Sequence, residues 1–587
     1  MRQILPGDVR VHVDRPLPFL CLQRGPDATL VDGEAAYLLD PVHKDPGPRA
    51  VARELALLAQ ERYGGFLLME LVPTEVGAHD DPIRVYTDDN DLSVELAGVL
   101  ARHLGRLRIA GRAQTVGVLP RVRGARGPRP LLGRKLAAEL GCVQLTVAID
   151  ATWKNEGGEL PGLLRRARKI VGAAMRHTAY RFAKDHTTYR TTSWHALGRR
   201  AVVKAVWTVD EQLSRVARSF DFLLCVSPVN GDGAWRAFQR SGFEKVPLLR
   251  YRPLPVDPGE LKRTLYRIPI ERVEDPTLSD LFLEKRAELD RQLTMLGDRG
   301  TPRFVYGSLA AYGACSSALV RRAEEVLETV SATARGRHSG ASVDATEFAR
   351  RAEEELAWYR ERWKGFDASV EIRSDMSGGL MVSQGRLLVP GNTSTPAARV
   401  DALIQHEVGT HLLTWCNGRS QRLKQLQHGL AGYEELQEGI AVLAEYLAGG
   451  MSPARLRILA GRVIIADACA GGASFIDSYR LLRRYGFGKR AAFSLVVRIY
   501  RSGGFTKDLV YLRGLLTVLD HLSQGGELEP LFVGKIAATH LPIVRELQSR
   551  RVLTPPGVLP RYLERPEAQV RLERVRNGLQ VHELLEA

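Results

Sequence analysis

ARVDALIQHEVGTHLLTW (residues 398–415) is the stretch that decides the predicted fold and chemistry of this chain. It has the pattern of a helix and is apolar apart from a polar cluster that contains His406, Glu407 and His411. A zinc peptidase site needs two neutral imidazoles on one face of a helix, with a carboxylate beside them. The stretch therefore predicts a helix that supplies two ligands and a catalytic carboxylate to a metal site.

The spacing of these two histidines departs from the common HExxH motif. His406 and His411 are five residues apart, which gives HExxxH. On a regular helix this separation would place them about 140° apart around the axis, too far to share one ion. A π-bulge would restore their alignment, and Gly409 lies inside the spacer, where backbone distortion costs least. We therefore expect a π-bulge here. Two helix histidines with ordinary hydrogen-bond partners and no metal remain the alternative.

A third ligand is expected from the next helical segment. A catalytic zinc ion takes three protein ligands and leaves a fourth position open to water. The segment AGYEELQEGIAVLAEYL (431–447) carries four glutamates, at positions 434, 435, 438 and 445. Glu438 stands at the head of an apolar run, where a carboxylate needs a partner. That partner is either the metal or one of the many arginines, and we take Glu438 as the third ligand.

The rest of the chain predicts an α+β protein that is mainly helical. Residues 1–150 alternate helical segments with strand-like runs such as FLLMELV (66–72) and CVQLTVAI (142–149), which is typical of an α/β region. We interpret them as an N-terminal accessory region. Residues 151–264 read as a helical connecting region, and residues 265–575 read as a mostly helical catalytic domain.

Two shorter stretches predict β structure outside the N-terminal region. SFDFLLCVSPVN (219–230) reads as a buried strand that ends at a proline turn. ASVEIRSDMSGGLMVSQGRLLVPG (368–391) has strand residues on either side of glycine-rich turns, which predicts a small hairpin sheet directly before the histidine helix. Its order in the sequence suggests an edge strand to which an extended peptide could add.

Composition limits the partners and the compartment. The net charge is +16, mostly from arginine, but it is spread over the whole chain and no nucleic-acid-binding motif accompanies it, so no nucleic acid is expected. The six cysteines form no CxxC pair, which favours free thiols in a reducing compartment. No signal peptide and no uncharged apolar run of about 18 residues is seen, so we expect a cytoplasmic protein without a membrane span.

Three segments together resemble one known family. HEVGTH (406–411), LQEGIAVLAEYL (436–447) and RIYRSGGFTKDLVYLRG (498–514) are similar to the QEGLA-motif family. That family includes the microtubule-associated tyrosine carboxypeptidases and bacterial proteins described as flavohemoglobin expression modulators. The similarity covers about residues 170–575, and QEGLA reads QEGIA here, which leaves Glu438 in place. The resemblance implies a gluzincin-like zinc carboxypeptidase with one zinc ion held by an HExxxH helix and a glutamate.

The residues can be given roles within such a site. Glu407 would take a proton from the attacking water and pass it to the leaving amine. Tyr511 is the candidate donor to the carbonyl oxygen, with a tyrosine packed in a helix as the alternative. A carboxypeptidase must also hold a terminal carboxylate, for which arginine and lysine are best suited. The candidates for that task surround a glycine turn and are Arg498, Arg501, Lys507 and Arg513.

Three functions remain open from the sequence. The first is a zinc carboxypeptidase that acts on a protein or peptide C terminus, with an aromatic terminal residue suggested only by the named relatives. The second is a peptidase-like regulatory or binding protein that modulates expression without proteolysis. The third is an aminopeptidase or dipeptidyl peptidase, which would need acidic groups to hold a free amine. The sequence assigns no physiological substrate, no oligomeric state and no role to residues 1–150.

Overall fold

The structure is a computed structural model that forms a mainly helical α+β protein, as predicted. The residues that it describes are 2–5, 8–25, 29–41, 46–77, 80–88, 90–109, 112–121, 128–155, 158–331, 341–376 and 379–585. The chain divides into two compact units, Met1–Val206 with Glu271–Asp280, and Trp207–Ile270 with Leu281–Ala587. Within the described residues, no helix is both long enough and apolar enough to cross a bilayer.

The first unit contains a mixed eight-stranded sheet. The strands of this unit are β1 (Arg2–Leu5), β2 (Val9–Val13), β3 (Phe19–Arg24), β4 (Ala36–Asp40), β5 (Phe66–Thr74), β6 (Ile83–Thr87), β7 (Arg108–Ile109), β8 (Arg112–Ala113), β9 (Val116–Pro120), β10 (Cys142–Asp150), β11 (Lys154–Asn155) and β12 (Gly158–Glu159). The sheet order is β1-β2-β4-β3-β5-β10-β6-β9. Strands β4, β3, β5 and β10 run parallel, and their buried runs match the apolar segments of the sequence.

Helices cover this sheet. They are α1 (Gly47–Tyr63), α2 (Asp91–Leu104), α3 (Arg134–Glu139) and α4 (Pro161–His186). The basic helix α4 places Ala167, Val171, Met175 and Ala179 in the same core as the strands. These residues recur every four positions, so they form one apolar stripe along the helix. Helix α4 thus belongs to the first compact unit, whereas the sequence prediction assigned it to a connecting region; the three-part division stays a prediction.

The second unit is mainly helical. Its helices, two of which begin before its boundaries, are α5 (Lys204–Arg218), α6 (Phe222–Val226), α7 (Gly231–Arg240), α8 (Pro258–Tyr266), α9 (Pro276–Gly297), α10 (Phe304–Tyr312), α11 (Ser317–Thr329), α12 (Ala345–Arg362), α13 (Ala397–His406), α14 (Leu413–Ser420), α15 (Gln425–His428), α16 (Tyr433–Leu447), α17 (Pro453–Ala470), α18 (Phe475–Arg484), α19 (Lys489–Tyr500), α20 (Val510–Ser523), α21 (Leu541–Ser549) and α22 (Pro566–Arg576). The strand predicted over 219–230 is wrong, because α6 lies there: the Asp221 side chain caps it by accepting a hydrogen bond from the Leu224 amide at 3.0 Å.

Five short strands accompany these helices. They are β13 (Ser342–Asp344), β14 (Ser369–Arg373), β15 (Met381–Ser383), β16 (Arg386–Pro390) and β17 (Ser394–Pro396). Strands β15 and β16 form the predicted hairpin, and its turn residues Gln384 and Gly385 both have positive φ. Strand β14 adds to β16 in parallel, so β16 is central and β15 is an edge strand. The sheet leads through β17 directly into α13, which begins at Ala397.

Candidate metal centre and adjoining cavity

The backbone between the two motif histidines is a π-helix. Helix α13 ends at His406, the segment Glu407–Leu412 has π-helical hydrogen bonding, and α14 begins at Leu413. The π-bulge expected from the five-residue spacing is therefore confirmed. Gly409 lies within it, and a Cβ atom there would stand 2.7 Å from the side-chain oxygen of Gln405. Glycine consequently fits this turn without displacing a neighbour.

The π-helix brings both imidazoles to one point, where helix α16 adds a carboxylate. The Nε2 atom of His406 lies 3.7 Å from Oε2 of Glu438, and Nε2 of His411 lies 3.6 Å from the same oxygen. The candidate ligand atoms of the three residues all lie within 4.8 Å of one another. Among the residues that the structure describes, no other group of three histidine, cysteine or acidic side chains converges in this way.

The Glu438 carboxylate tests whether this group fits a metal. Its Oε1 atom accepts a hydrogen bond from Lys507 Nζ at 2.8 Å, while Oε2 is buried and accepts none. Burial acts to raise the pKa of Glu438, but the Lys507 ammonium holds it well below its usual value, so the group is charged. A buried anionic oxygen without a donor is costly, and a cation shared with two imidazoles would satisfy it. Two imidazoles and one carboxylate form a known zinc donor set, so the residues fit that ion.

The far side of the His406 ring is held by a second acid of helix α16. Its Nδ1 atom lies 2.8 Å from Oε1 of Glu445, a fully buried residue. Burial acts to raise the pKa of Glu445, but Arg455 and the hydrogen bond from His406 hold it well below its usual value. Because an ionised carboxylate can only accept, Nδ1 donates, and in the neutral ring that a metal requires the lone pair of Nε2 is free for the ion.

Glu407 lies beside this group without joining it. Its Oε1 atom is 4.0 Å from His406 Nε2, and its side chain lines a cavity of about 610 Å³. The edge strand also reaches this cavity through Met381, and Leu380, directly before the strand, lines it as well. The cavity walls are strongly basic. The arginines that line it are Arg252, Arg455, Arg462, Arg490, Arg498 and Arg501.

The four cations predicted around the glycine turn are separated by the fold. Arg498 and Arg501 line the cavity, where Arg498 donates to both oxygens of Asp508, with Nη2 at 3.1 Å, and Arg501 Nη1 donates to Ser227 Oγ at 2.9 Å. Lys507 is 3% exposed and faces the carboxylate of Glu438 instead. The fourth cation is placed away from the cavity lining, since Arg513 donates to Glu435 at 2.6 Å.

Tyr511, the predicted donor to the carbonyl oxygen, lies on the wall of the cavity. Its ring is stacked 6.5 Å from the imidazole of His406, measured between centroids. The guanidinium carbon of Arg462 stands 4.4 Å from the centre of the same ring. Burial raises the pKa of the Tyr511 hydroxyl, so it keeps its proton and can donate a hydrogen bond.

Two arginines of helix α17 were missed by the sequence prediction. Arg455 holds Glu445, and Arg462 points its guanidinium into the basic cavity. The Nη1 atom of Arg462 is buried without a hydrogen-bond partner, while its Nε lies 3.4 Å from Oδ2 of Asp508. Burial lowers the pKa of Arg462 to about 10. The signal was their spacing of seven residues in the apolar stretch PARLRILAGRVIIADACA, which puts both on one helical face. In a chain so rich in arginine, that signal did not stand out.

The convergence of two imidazoles, a free carboxylate oxygen and a neighbouring glutamate is typical of metal-dependent hydrolases. The fold therefore builds a site whose residues could hold a metal ion. The family model described as microtubule-associated tyrosine carboxypeptidase matches residues 236–580, more than half of the chain, and the chain belongs to that family. The match includes the three candidate metal ligands and Glu407. No curated protein is significantly similar to the chain.

Proposed function

We propose that this protein is a zinc-dependent carboxypeptidase with a gluzincin-like core, which removes a residue from the C terminus of a protein or peptide. One observation carries the proposal. His406 Nε2, His411 Nε2 and Glu438 Oε2 lie close together, and Glu438 Oε2 is buried without a hydrogen-bond partner. The donor set supports zinc as the ion. Family membership supports carboxypeptidase as the activity.

The proposed mechanism assigns the proton transfers to Glu407. Zinc, when bound, supplies the Lewis acidity that activates water and polarises the scissile carbonyl. Glu407 is next to the ligand group and open to the cavity, so it takes the proton of the attacking water and delivers it to the leaving amine. The hydroxyl of Tyr511 donates a hydrogen bond to the carbonyl oxygen as negative charge develops on it.

The basic wall of the cavity supplies the grip on a terminal carboxylate. Arg498 already donates to Asp508 with two nitrogens, whereas Arg462 and Arg501 each keep at least one buried nitrogen without a partner. Because both guanidinium groups line the cavity, a substrate carboxylate there would pair with them through charge-assisted hydrogen bonds. We therefore assign its recognition first to Arg462 and Arg501, with Arg498 beside them. Lys507 and Arg513 are paired with glutamates, so we do not assign them to carboxylate recognition.

The extended part of the substrate would lie along strand β15. This strand is the edge of its sheet, and its first residue, Met381, lines the cavity. A peptide that adds there gains backbone hydrogen bonds. The apolar side chains of Leu403, Phe493 and Val497 also line the cavity, which suits an apolar or aromatic terminal side chain. The other support for an aromatic preference is the name of the family.

Cleavage of matched peptides with a free or an amidated C terminus tests the activity. We expect the free acid to lose its last residue and the amide to resist, because an amide offers the arginines no charge. Glu407→Gln should retain zinc and lose about 10²–10⁴-fold in rate. Full zinc occupancy with no cleavage of any peptide by the wild-type protein would favour the alternative, a peptidase-like regulator that binds C termini without cutting them.

A further inference from the structure

One helix holds the imidazole of His406 from both sides. Glu438 and Glu445 are seven residues apart on α16, which places them on the same helical face two turns apart. Glu438 Oε2 lies 3.7 Å from Nε2 of the ring, and Glu445 Oε1 lies 2.8 Å from Nδ1. The ring is thus fixed between a candidate metal ligand on one edge and a buried acceptor on the other.

The acceptor on the Nδ1 side is itself immobilised. Oε1 of Glu445 accepts from His406 Nδ1 and from Arg455 Nη2 at 2.7 Å. Oε2 accepts from Arg455 Nε at 3.0 Å and from Arg399 Nη2 at 2.6 Å. A carboxylate has about four acceptor positions, and all four are used here. Glu445 therefore has neither an alternative partner nor room to rotate.

We propose that Glu445 is a positioning residue for the metal ligand His406, held in place by Arg455 and Arg399. It keeps the imidazole proton on Nδ1, so that Nε2 offers its lone pair to the ion, and it fixes the plane of the ring. Such outer partners of metal-ligating histidines typically contribute about ten- to a hundredfold to metal affinity. This inference rests on the proposed function, because it presupposes that the group holds zinc.

The variant Glu445→Gln separates this role from simple packing, since it preserves volume and changes only the donor pattern. An amide nitrogen at the Oε2 position would face two arginine donors, but at the Oε1 position it would face only one. The amide therefore turns its nitrogen toward His406 and donates to Nδ1. The proton of the imidazole then moves to Nε2, the atom that the metal needs free.

The measurements are the zinc dissociation constant, by competition with a chelator, and the tautomer of His406 in metal-free protein, from nitrogen-15 NMR of labelled histidine at alkaline pH, where the ring is neutral. We expect Glu445→Gln to weaken zinc binding by about ten- to a hundredfold and to reverse the tautomer. Arg455→Lys, which keeps the charge but loses the paired donors, should weaken zinc binding less. The control is Glu435→Gln, which removes an arginine-paired carboxylate on the same helix away from both histidines and should leave zinc affinity unchanged.

The outcomes distinguish this inference from the proposed function. Wild-type protein that binds no zinc would overturn the proposed function and this inference with it. Wild-type protein that binds zinc, with Glu445→Gln matching Glu435→Gln in affinity and tautomer, would overturn only the role of Glu445. If Glu445→Gln does not fold, Arg455→Lys decides alone: wild-type zinc affinity in that variant contradicts the proposal.

Discussion

The histidine helix and the glycine-turn segment show how differently two motifs of one site can be read from sequence. In the first, His406, Glu407 and His411 lie together around a π-helix, as their spacing required. In the second, four cations predicted for one task have different partners, with Arg498 and Arg501 on the cavity and the other two on glutamates. Ligand spacing on a helix is a local property, whereas the partner of a cation depends on which distant acid the fold brings near it.

The largest effect is expected when the cleavage rates of two variants, one from each region, are compared. His411→Ala should abolish cleavage, a loss of about a millionfold or more, because the centre then lacks a ligand. Arg513→Ala should cleave near the wild-type rate, because its partner is Glu435 and not the substrate. Steady-state rates on one peptide measure both. A severe rise in KM for Arg513→Ala would restore this arginine to the substrate site and weaken the contrast.

The second prediction concerns the acid that organises the glycine-turn segment. Asp508 is fully buried, and burial acts to raise its pKa. The guanidinium groups of Arg498 and Arg462 nevertheless hold this pKa below the ordinary value of 3.8. The unfolded chain binds the proton more readily, so this stabilisation is complete above about pH 4 and is lost as the pH falls toward the lower folded pKa. Asp508→Asn should lower the free energy of unfolding at pH 7 by about 3–5 kcal/mol and remove this part of the acid dependence.

Urea unfolding of metal-free protein across the acidic range measures the effect of Asp508→Asn. Metal-free protein is used so that zinc binding does not add its own pH dependence. A variant that loses stability on acidification as steeply as the wild type would show that Asp508 is not the group responsible.

The third prediction tests the arginine that the sequence reading missed. Arg462→Ala should raise KM for free-acid peptides by about ten- to a hundredfold, the cost of one charged hydrogen bond of about 1.5–3 kcal/mol. Zinc content should not change, because Arg462 contacts none of the three ligands. The comparison with Arg498→Ala sharpens the assignment: a larger KM effect at Arg498 would mean that Asp508 does not occupy that guanidinium when substrate is bound.

The smallest expected effect probes the π-helix. Gly409→Ala places a Cβ 2.7 Å from Gln405 Oε1, and the displaced side chain should cost about 1 kcal/mol of unfolding free energy. The matched control is Gly233→Ala in helix α7, where a Cβ meets nothing within 4 Å. That change should add about 0.5–1 kcal/mol, the usual gain from replacing a helical glycine. Equal effects at the two positions would mean that the bulge tolerates a side chain.

Sequence reasoning succeeded where the determining contacts are close along the chain. The five-residue spacing with Gly409 predicted the π-helix, and the turn residues Gln384 and Gly385 lie within the predicted hairpin. It failed at 219–230, where a short apolar run fits a strand or a buried helix equally well and the Asp221 cap selected the helix. It also missed Arg462, because only the packing of α17 shows that its guanidinium lines the cavity with Nη1 buried and without a hydrogen-bond partner.

Zinc content of the purified protein tests the central claim most directly. The account predicts about one zinc ion per wild-type chain and none in Glu438→Ala, the variant that removes the buried oxygen on which both imidazoles converge. A wild-type chain that remains free of zinc after equilibration with the ion, or a Glu438→Ala chain that keeps it with undiminished affinity, would contradict the account.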